Sequence, residues 1–230
     1  MRGKGFTLIE LLLAMAILIL VLIMALLYFR ATARSGALAQ AKGELQDRVR
    51  YVMQVVTGDL QMSGARYWTQ GGISLGFTLV GTLLGQDGGA KDTLTVRYVT
   101  SLREQASACR RVDYGFNGDT LLRSDVNITP PSGTDCLEGS PSFAPLAEGI
   151  LALDIQYLCS DGRALNTPDC GVGAYPRSAQ VTVAAYSLTP VGASPMTLTT
   201  VTGQSLACPA GRLCYAMTQE VLMPNLKPVQ

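Results

Sequence analysis

The 230-residue chain contains no histidine. Ser-His-Asp and Cys-His catalysis both require an imidazole base, and histidine is also the commonest metal ligand, so these classes of site are excluded. Lysine is scarce as well. The four lysines stand at positions 4, 42, 91 and 227, and none lies in a Ser-x-x-Lys or Gly-Lys-Ser/Thr motif. We therefore expect a protein that is not an enzyme and that holds no cofactor and no metal ion.

The chain also lacks a strong net charge. Lysine and arginine number 18 against 17 aspartates and glutamates, which gives a formal net charge of +1. Nucleic-acid-binding domains usually carry a basic patch or stripe that neutralises phosphates. Arg110 and Arg111 form an adjacent basic pair, which we expect to line a solvated strand rather than an anion site. The charge balance therefore predicts no clear nucleic-acid site.

Six cysteines are present, and all follow the first hundred residues: Cys109, Cys136, Cys159, Cys170, Cys208 and Cys214. An even number of cysteines in a translocated domain indicates disulfides and an oxidising compartment. A zinc site is the alternative, but the chain has no Cys-x-x-Cys motif and no histidine. Counting leaves the connectivity open, and the pairing of sequence neighbours is the simplest of the possibilities.

One segment differs from the rest of the chain, because residues 11–29 include no charge, glycine or proline. As an α-helix this run extends about 28 Å at ~1.5 Å per residue. Counted from Phe6 the helix reaches roughly 36 Å, which exceeds a hydrocarbon core of ~30 Å and predicts a membrane-spanning helix. Residues 31–33 (Ala-Thr-Ala) fit a secretory cleavage site, but the apolar run is longer than the ~7–15 residues of a signal-peptide core.

Two features stand at the head of this run. Glu10 places a carboxylate in a spanning helix, at a cost of ~2.5–3.5 kcal/mol at mid-bilayer, which makes it a candidate functional residue. The alternative is that Glu10 lies at the membrane–water boundary and extends toward water. Gly5 precedes Phe6 after a short basic leader, and a residue without Cβ lets an extended chain lie close in a protease cleft.

Residues 5–12, Gly-Phe-Thr-Leu-Ile-Glu-Leu-Leu, resemble the processing motif of the type IV prepilin family, which type II secretion and competence pseudopilins share. The resemblance implies that a prepilin peptidase cleaves between Gly5 and Phe6, and that Phe6 becomes the N-methylated first residue. Glu10 then matches the acid of the family's assembly helix. The implied partners are prepilin peptidase, other major and minor pilins, an inner-membrane pilus assembly platform and, before assembly, membrane lipid.

Beyond residue 29 the helical pattern becomes amphipathic. Leu45, Val49, Val52, Val56 and Leu60 fall on one stripe, which predicts a helix face packed on a core. Gly64 is the expected end of one long helix that begins near Phe6. We interpret the glycine-rich residues 67–91 as an irregular loop with at most one short strand, at residues 77–80.

Alternating apolar and polar residues predict strands in the rest of the chain, at 93–99, 109–116, 119–123, 151–157, 180–188, 196–202 and 213–222. Leu151, Leu153 and Ile155 are expected on one face of their strand. Asn117-Gly118 predicts a hairpin turn with positive φ at both positions. Residues 129–145 hold four prolines and are expected to form a surface loop.

These patterns predict an α+β fold, in which a long N-terminal helix packs on an antiparallel β-sheet domain with disulfides. We expect a prepilin leader at residues 1–5 and a transmembrane and filament-core helix at 6–29. The amphipathic continuation of the helix is expected at 30–66, and a globular β-rich pilin domain at 67–230.

The body resembles PilW-type minor pilins in residues 92–98, in the hairpin from Tyr114 to Arg123 and in residues 148–157. The resemblance implies a minor pilin of a type IV pilus, a structural subunit that inserts its apolar helix into the filament core and primes or caps assembly. A type II secretion or competence pseudopilin is the alternative, and a DNA-binding module for uptake is a weaker one.

Topology is not decided by charge, because arginines and lysines lie on both sides of the apolar run, Arg2 and Lys4 before it and Arg30 and Arg34 after it. The cysteines and the leader place the N-terminus inside and the body outside the cytoplasm. We expect a single-pass protein of the bacterial inner membrane that passes into a pilus filament.

Overall fold

The computed structural model describes residues 8–79, 81–128, 135–136 and 139–227. Within them lie one α-helix, α1 (Leu8–Met62), fifteen β-strands and two short 3-10 helices, Gln105–Ser107 and Pro224–Leu226. The strands are β1 (Tyr67–Gln70), β2 (Ile73–Gly76), β3 (Thr78–Leu79), β4 (Leu83–Gln86), β5 (Thr93–Val99), β6 (Cys109–Asn117), β7 (Thr120–Asn127), β8 (Asp135–Cys136), β9 (Phe143–Ala147), β10 (Ile150–Cys159), β11 (Ala164–Leu165), β12 (Pro176–Tyr186), β13 (Thr197–Thr199), β14 (Ser205–Ala207) and β15 (Cys214–Leu222).

The chain divides into two units, Met1–Gly43 and Glu44–Gln230. The described part of the first unit is helical throughout. Leucine, isoleucine, alanine and methionine dominate it, and neither proline nor a run of glycines interrupts the helix, in keeping with helix propensities. By length and composition α1 contains a segment able to cross a membrane, and that segment is not buried within the chain. The second unit contains the rest of α1 and all the described strands.

The core of the second unit forms around the predicted helix stripe. Leu45, Val49, Val52, Val56 and Leu60 are all buried, as the amphipathic pattern predicts. The helix residues share one apolar cluster with side chains from two antiparallel sheets. One sheet has the order β4-β5-β6-β7-β9, and the other has the order β11-β10-β12-β15. The predicted α+β fold is confirmed.

The end of α1 requires a glycine. The helix ends at Met62, and Gly64 follows with φ 80°. A Cβ at this position would lie 2.8 Å from Leu226 Cδ2 and 2.9 Å from the Asn225 carbonyl oxygen. The Gly64 amide donates to the Arg97 carbonyl at 3.0 Å, so the chain passes directly from the helix to the edge of β5. The predicted helix end is therefore correct to within two residues.

The glycine-rich connection is not an irregular loop, so that prediction is wrong, although the short strand expected at residues 77–80 is present as β3. It forms the β1–β2 hairpin, in which Gln70 pairs with Ile73, and then β3 and β4. The turn residues Gly71 and Gly72 have φ of 61° and 81°. Two consecutive positive φ angles match the twist of a two-residue hairpin, and glycine adopts them without steric cost.

The turn between β6 and β7 also differs from the prediction. Asn117 pairs with Thr120, so the central turn residues are Gly118 and Asp119. Gly118 has φ 59°, and among the described residues positive φ occurs only at glycines. A glycine at the first central position is the requirement of a type II′ turn. Asn117 therefore ends the strand, and the expected positive φ at both Asn117 and Gly118 is wrong.

Two further expectations are corrected in the second half of the chain. Within the predicted loop 129–145, the segment from Phe143 begins the edge strand β9, where Pro145 is tolerated because an edge leaves one side of the backbone unpaired. In β10 the register shifts between Ile150 and Ala152. Because of that bulge Ile150 enters the core, whereas Leu151 is half-buried and does not share the core face of Leu153.

Candidate assembly site

From Leu8 to Phe29, α1 presents apolar side chains around its circumference, with Glu10 as the one charged residue of that segment. The exposed fraction is 78% for Leu8 and 49% for Ile23, and the large apolar residues between them fall within that range. Monomeric soluble proteins rarely expose contiguous apolar patches larger than a few hundred Å². This surface therefore requires lipid or other apolar helices to cover it.

Glu10 is the acidic residue of the first helical turn, and it is exposed among apolar neighbours. The partial positive charge at a helix N-terminus favours a carboxylate there. The predicted processing residues, Gly5 and Phe6, lie outside the described residues. Cleavage and methylation at that bond, and a role for Glu10 in assembly, stay predictions.

A buried ionic cluster joins α1 to the five-stranded sheet. The Asp59 side chain lies on α1, and residue Asp59 is 7% exposed. Its carboxylate accepts hydrogen bonds from Arg123, with Nε at 3.0 Å from Oδ2 and Nη2 at 3.2 Å from Oδ1. The Tyr114 hydroxyl donates to Asp59 Oδ2 as well. One carboxylate is thus shared by a guanidinium from β7 and a phenol from β6.

The electrostatics of this cluster favour its charged acid–base pair and a neutral phenol. Burial and the neighbouring Asp59 carboxylate raise the pKa of Tyr114 above its usual range. Burial by itself would lower the pKa of Arg123, but the hydrogen bonds and charge of Asp59 raise it overall. Charge-assisted hydrogen bonds of this kind fix geometry as well as adding energy. The cluster therefore holds α1 at one position along the sheet.

Sequence reasoning missed Asp59. The residue stands three positions after Val56 and next to Leu60, both of which belong to the buried stripe. Residues three apart on a helix lie on the same face, so a carboxylate at this position had to be near the core. A buried charge needs a partner of opposite sign. A carboxylate on the buried face of α1 therefore indicated an ion pair with a basic residue of the sheet.

Arg110 and Arg111 are not on a solvated surface, and that expectation is wrong. The Arg110 side chain is 7% exposed and donates to Asp125 and to Asn127, its partner across the β6–β7 ladder. Arg111 forms a bidentate pair with Asp113 at 2.9–3.0 Å. The acids that pair with them lie on the same strand or on the next one. Arg110 is therefore buried and Arg111 half-buried, each with its charge compensated.

Asp92 connects the two sheets. Its amide donates to the Leu153 carbonyl at 2.9 Å, and its Oδ2 accepts from the Ile155 amide at 2.8 Å. Oδ1 accepts from the Gly88 amide at 2.9 Å. Burial raises the pKa of Asp92 to about 6, because the two backbone hydrogen bonds only partly offset the loss of water. A single carboxylate thus links the start of β5 to the middle of β10.

Three disulfides join sequence neighbours: Cys109–Cys136, Cys159–Cys170 and Cys208–Cys214. Cys109 and Cys136 are buried in a second apolar cluster, together with Trp68 and Phe77. The other two bridges close short loops of the four-stranded sheet and its extensions. Within the described part of the chain no group of three or more His, Cys, Asp or Glu side chains is placed to hold a metal ion.

Comparison with known proteins adds three observations. Residues 1–26 match the family model described as "Prokaryotic N-terminal methylation motif". Over 228 residues the chain is 64% identical to the Pilin-like protein PilA3 of Thermus thermophilus, and the match covers 98% of each protein. The fold resembles a type IV-like pilin of Thermus thermophilus with a TM-score of 0.56 at 18% identity, over 80% of this chain and 98% of that one. These proteins are described as pilin-like, so the PilW type stays a prediction.

Proposed function

The chain belongs to the type IV pilin-like family and is a structural subunit of the minor-pilin kind, and from this premise we propose that it primes or caps the assembly of a filament. Membership of the family implies processing by a prepilin peptidase and interaction with other pilins. The proposed role concerns assembly and includes no catalysis, in keeping with a chain that has no histidine.

The exposed apolar helix carries this proposal. Apolar side chains surround α1 from Leu8 to Phe29, and none of the segment able to span a membrane is buried within the chain. Burial of apolar surface contributes roughly 25 cal/mol per Å², so packing of such helices against one another in a filament, or against lipid before assembly, is strongly favourable. The same surface would serve two states in turn, the membrane-anchored subunit and the filament subunit.

The body supports a low-copy role. The second unit holds two large sheets, three smaller two-stranded ones, three disulfides and loops that carry exposed apolar residues such as Leu102 and Val172. A subunit repeated along a fibre must fit identical neighbours on every side. A large body with irregular loops fits more readily at one end of the filament, where some of its surface meets no copy of itself.

The proposed location follows from the helix and the disulfides. Before assembly the subunit would lie in the bacterial inner membrane as a single-pass protein, with its body outside the cytoplasm, where disulfides persist. The proposed partners there are the pilus assembly platform and the lipid around α1. After cleavage the subunit would move into the filament together with major and minor pilins.

Quantification of the subunit in sheared filaments tests the proposal. We expect a few copies per filament, with immunogold label confined to filament ends, and a marked loss of filaments when the gene is deleted. Label distributed along the shaft at a ratio near that of the major subunit would contradict a priming or capping role. Loss of protein secretion with intact surface filaments would identify a secretion pseudopilin instead.

A further inference from the structure

We propose that a small polar cavity at the end of the body is a docking site for a carboxylate side chain of a neighbouring pilin. The cavity has a volume of ≈ 310 Å³, and its lining residues are Tyr98, Thr100, Leu102, Arg103, Arg110 and Asp125. This inference deepens the proposed function and rests on it, because it names the chemistry by which the body would meet another subunit.

The position of the cavity suits a contact between subunits. Its residues come from the end of β5, the loop that follows it, β6 and β7. The end of β5 lies against the chain just past α1, where the Val99 amide donates to the Ala65 carbonyl at 2.8 Å. The cavity is therefore at the end of the body where α1 ends. Subunits whose helices run parallel in a filament succeed one another along the helix axis, so this end would meet a neighbouring pilin wherever the chain is not the outermost subunit.

The charges around the cavity do not balance. The two carboxylates nearby, Asp59 and Asp125, are already engaged by Arg123, and Asp125 also pairs with Arg110. Arg103 makes no ion pair with any residue that the structure describes. The next residue, Glu104, does not line the cavity and is not paired with Arg103. One guanidinium is thus left to attract an incoming anion.

Two side chains of the cavity lining, Tyr98 and Arg103, offer donors that no other described residue engages. The Tyr98 hydroxyl forms no hydrogen bond among the described parts of the chain, and its residue is half-buried. Burial, together with the nearby Asp59 and Asp125, raises the pKa of Tyr98 to about 12, so the hydroxyl keeps its proton at neutral pH. A phenol donor and a guanidinium fork together match the acceptor geometry of a carboxylate.

The scaffold holds the backbone of residues 102 and 103 in place. The Trp68 indole Nε1 donates to the Arg103 carbonyl at 2.8 Å, and the Leu102 amide donates to the Thr100 hydroxyl at 3.2 Å. The backbone on which Arg103 stands is therefore fixed before any ligand arrives. Fixing the site in advance lowers the entropy cost of binding.

The rim favours a protein segment over a free anion. Leu102 lies beside Arg103 and is 95% exposed. An apolar residue next to the incoming acid would cover the Leu102 side chain. The cavity is too small for a folded element but accommodates one side chain. An acidic residue followed by an apolar one, on the surface of another pilin, meets both requirements.

The test uses the full-length protein in detergent micelles with N-acetyl-Glu-Leu-amide as the probe. Nuclear magnetic resonance would follow the Arg103 Nε and Tyr98 ring signals during the titration. We expect saturable shifts and an affinity about fivefold higher than for N-acetyl-Gln-Leu-amide, since the probe loses its charge in the second peptide. Arg103→Gln should weaken binding about fivefold or more, and Tyr98→Phe about two- to fivefold.

Arg177→Gln is the matched control, because Arg177 is an exposed arginine on β12 outside the cavity, and it should bind the probe as the unmodified protein does. Equal shifts with both peptides, unchanged binding by Arg103→Gln, or equal competition by inorganic phosphate would overturn the inference. The peptide titration and the labelling of filament ends are independent measurements. A negative titration would reject the carboxylate site and leave the priming or capping role open, and labelling along the shaft would reject that role alone.

Discussion

The two parts of α1 use the same kinds of apolar residue for different partners. From Leu8 to Phe29 the helix exposes leucine, isoleucine and valine on all sides, whereas after Glu44 the stripe from Leu45 to Leu60 is covered by the body's own sheets. The first part therefore gains its apolar burial only from lipid or from other subunits. The second part gains it when the chain folds.

This difference separates assembly from stability. A change in the exposed part of α1 has few contacts within the subunit to break, so its effect should appear in filaments and in the membrane. A change in the buried part removes contacts of the folded body, so its effect should appear in the free energy of unfolding. The two kinds of measurement can be made on the same full-length chain.

The largest expected effect on assembly is that of Glu10→Ala. We expect cleavage, membrane insertion and disulfides to be retained and incorporation into filaments to fall about tenfold or more. In an apolar filament core, a charge-assisted contact with the methylated amine of Phe6 on a neighbouring subunit would set the axial register. The measurement is the amount of subunit in sheared filaments relative to membranes.

Two variants sharpen this test. Glu10→Asp should be intermediate, because its shorter side chain reaches less far. Glu44→Ala, which removes an exposed acid from the same helix beyond the apolar part, should assemble as the unmodified chain does. If Glu10→Ala enters filaments normally, the carboxylate is a passive boundary residue.

The converse case is Asp59→Ala, which should leave membrane insertion intact and destabilise the body by about 3–5 kcal/mol. The substitution leaves the Tyr114 hydroxyl without its acceptor and leaves the half-buried Arg123 guanidinium with Asp125 as its one carboxylate partner among the described residues, at 3.2 Å. Urea unfolding of the full-length protein in micelles, followed by the fluorescence of the single tryptophan, Trp68, measures the change.

Asp47→Ala provides the matched control for Asp59. Asp47 is an exposed acid on the same helix whose contact with Arg50 spans 4.0 Å. Exposed pairs contribute ~0–1 kcal/mol, so this variant should unfold almost as the unmodified chain does. Equal effects of the two variants would contradict the assignment of Asp59 as the residue that fixes α1 on the sheet.

The disulfides should stabilise the body in the order of the loops they close. Replacement of both cysteines by serine should cost about 3.6 kcal/mol for Cys109–Cys136, about 2.8 for Cys159–Cys170 and about 2.2 for Cys208–Cys214 in the chain-entropy model. The sequence separations are 27, 11 and 6 residues. The same unfolding measurement applies, and a reversed order would show that loop entropy does not control these bridges.

The elements that sequence predicted are those with a periodic signal. The stripe through Val49, Val52 and Val56 repeats at helical spacing, and the alternation in Thr93–Val99 gives a strand with the observed bounds. Both patterns reflect one buried face, and a buried face is what periodicity reports. The exposed helix of the first unit was evident for a simpler reason, since its composition alone indicates it.

The missed features depend on single positions or on distant contacts. The β1–β2 hairpin has short strands, so its alternation is weak, and its signal was the pair Gly71-Gly72. The cavity around Arg103 brings together residues from β5, β6, β7 and the loop after β5. No local pattern encodes such a combination. The Asp59 cluster likewise joins residues 55 and 64 positions apart.

The smallest expected effect is a dependence of the body's stability on pH through Asp92. Its pKa is raised to about 6 in the folded protein from an ordinary value of 3.8, because burial disfavours the charged form. Between these two values the folded chain binds more protons than the unfolded chain, so the free energy of unfolding falls as pH rises from about 4 to about 6. After allowance for solvent screening we expect a change on the order of 1–2 kcal/mol.

Asp92→Asn separates the titration of this carboxylate from its hydrogen bonds. The amide cannot accept from both the Gly88 and the Ile155 amides, so the variant should be less stable at every pH, yet its stability should no longer fall between pH 4 and 6. The hydrogen bond from Lys91 lowers the pKa of Asp119. The stability that Asp119 contributes is therefore lost only as pH falls below about 4, outside the range from pH 4 to 6. Urea unfolding at half-unit pH steps measures both curves. A slope that persists in Asp92→Asn would assign the pH dependence to another group and would leave Asp92 as a structural link between the sheets.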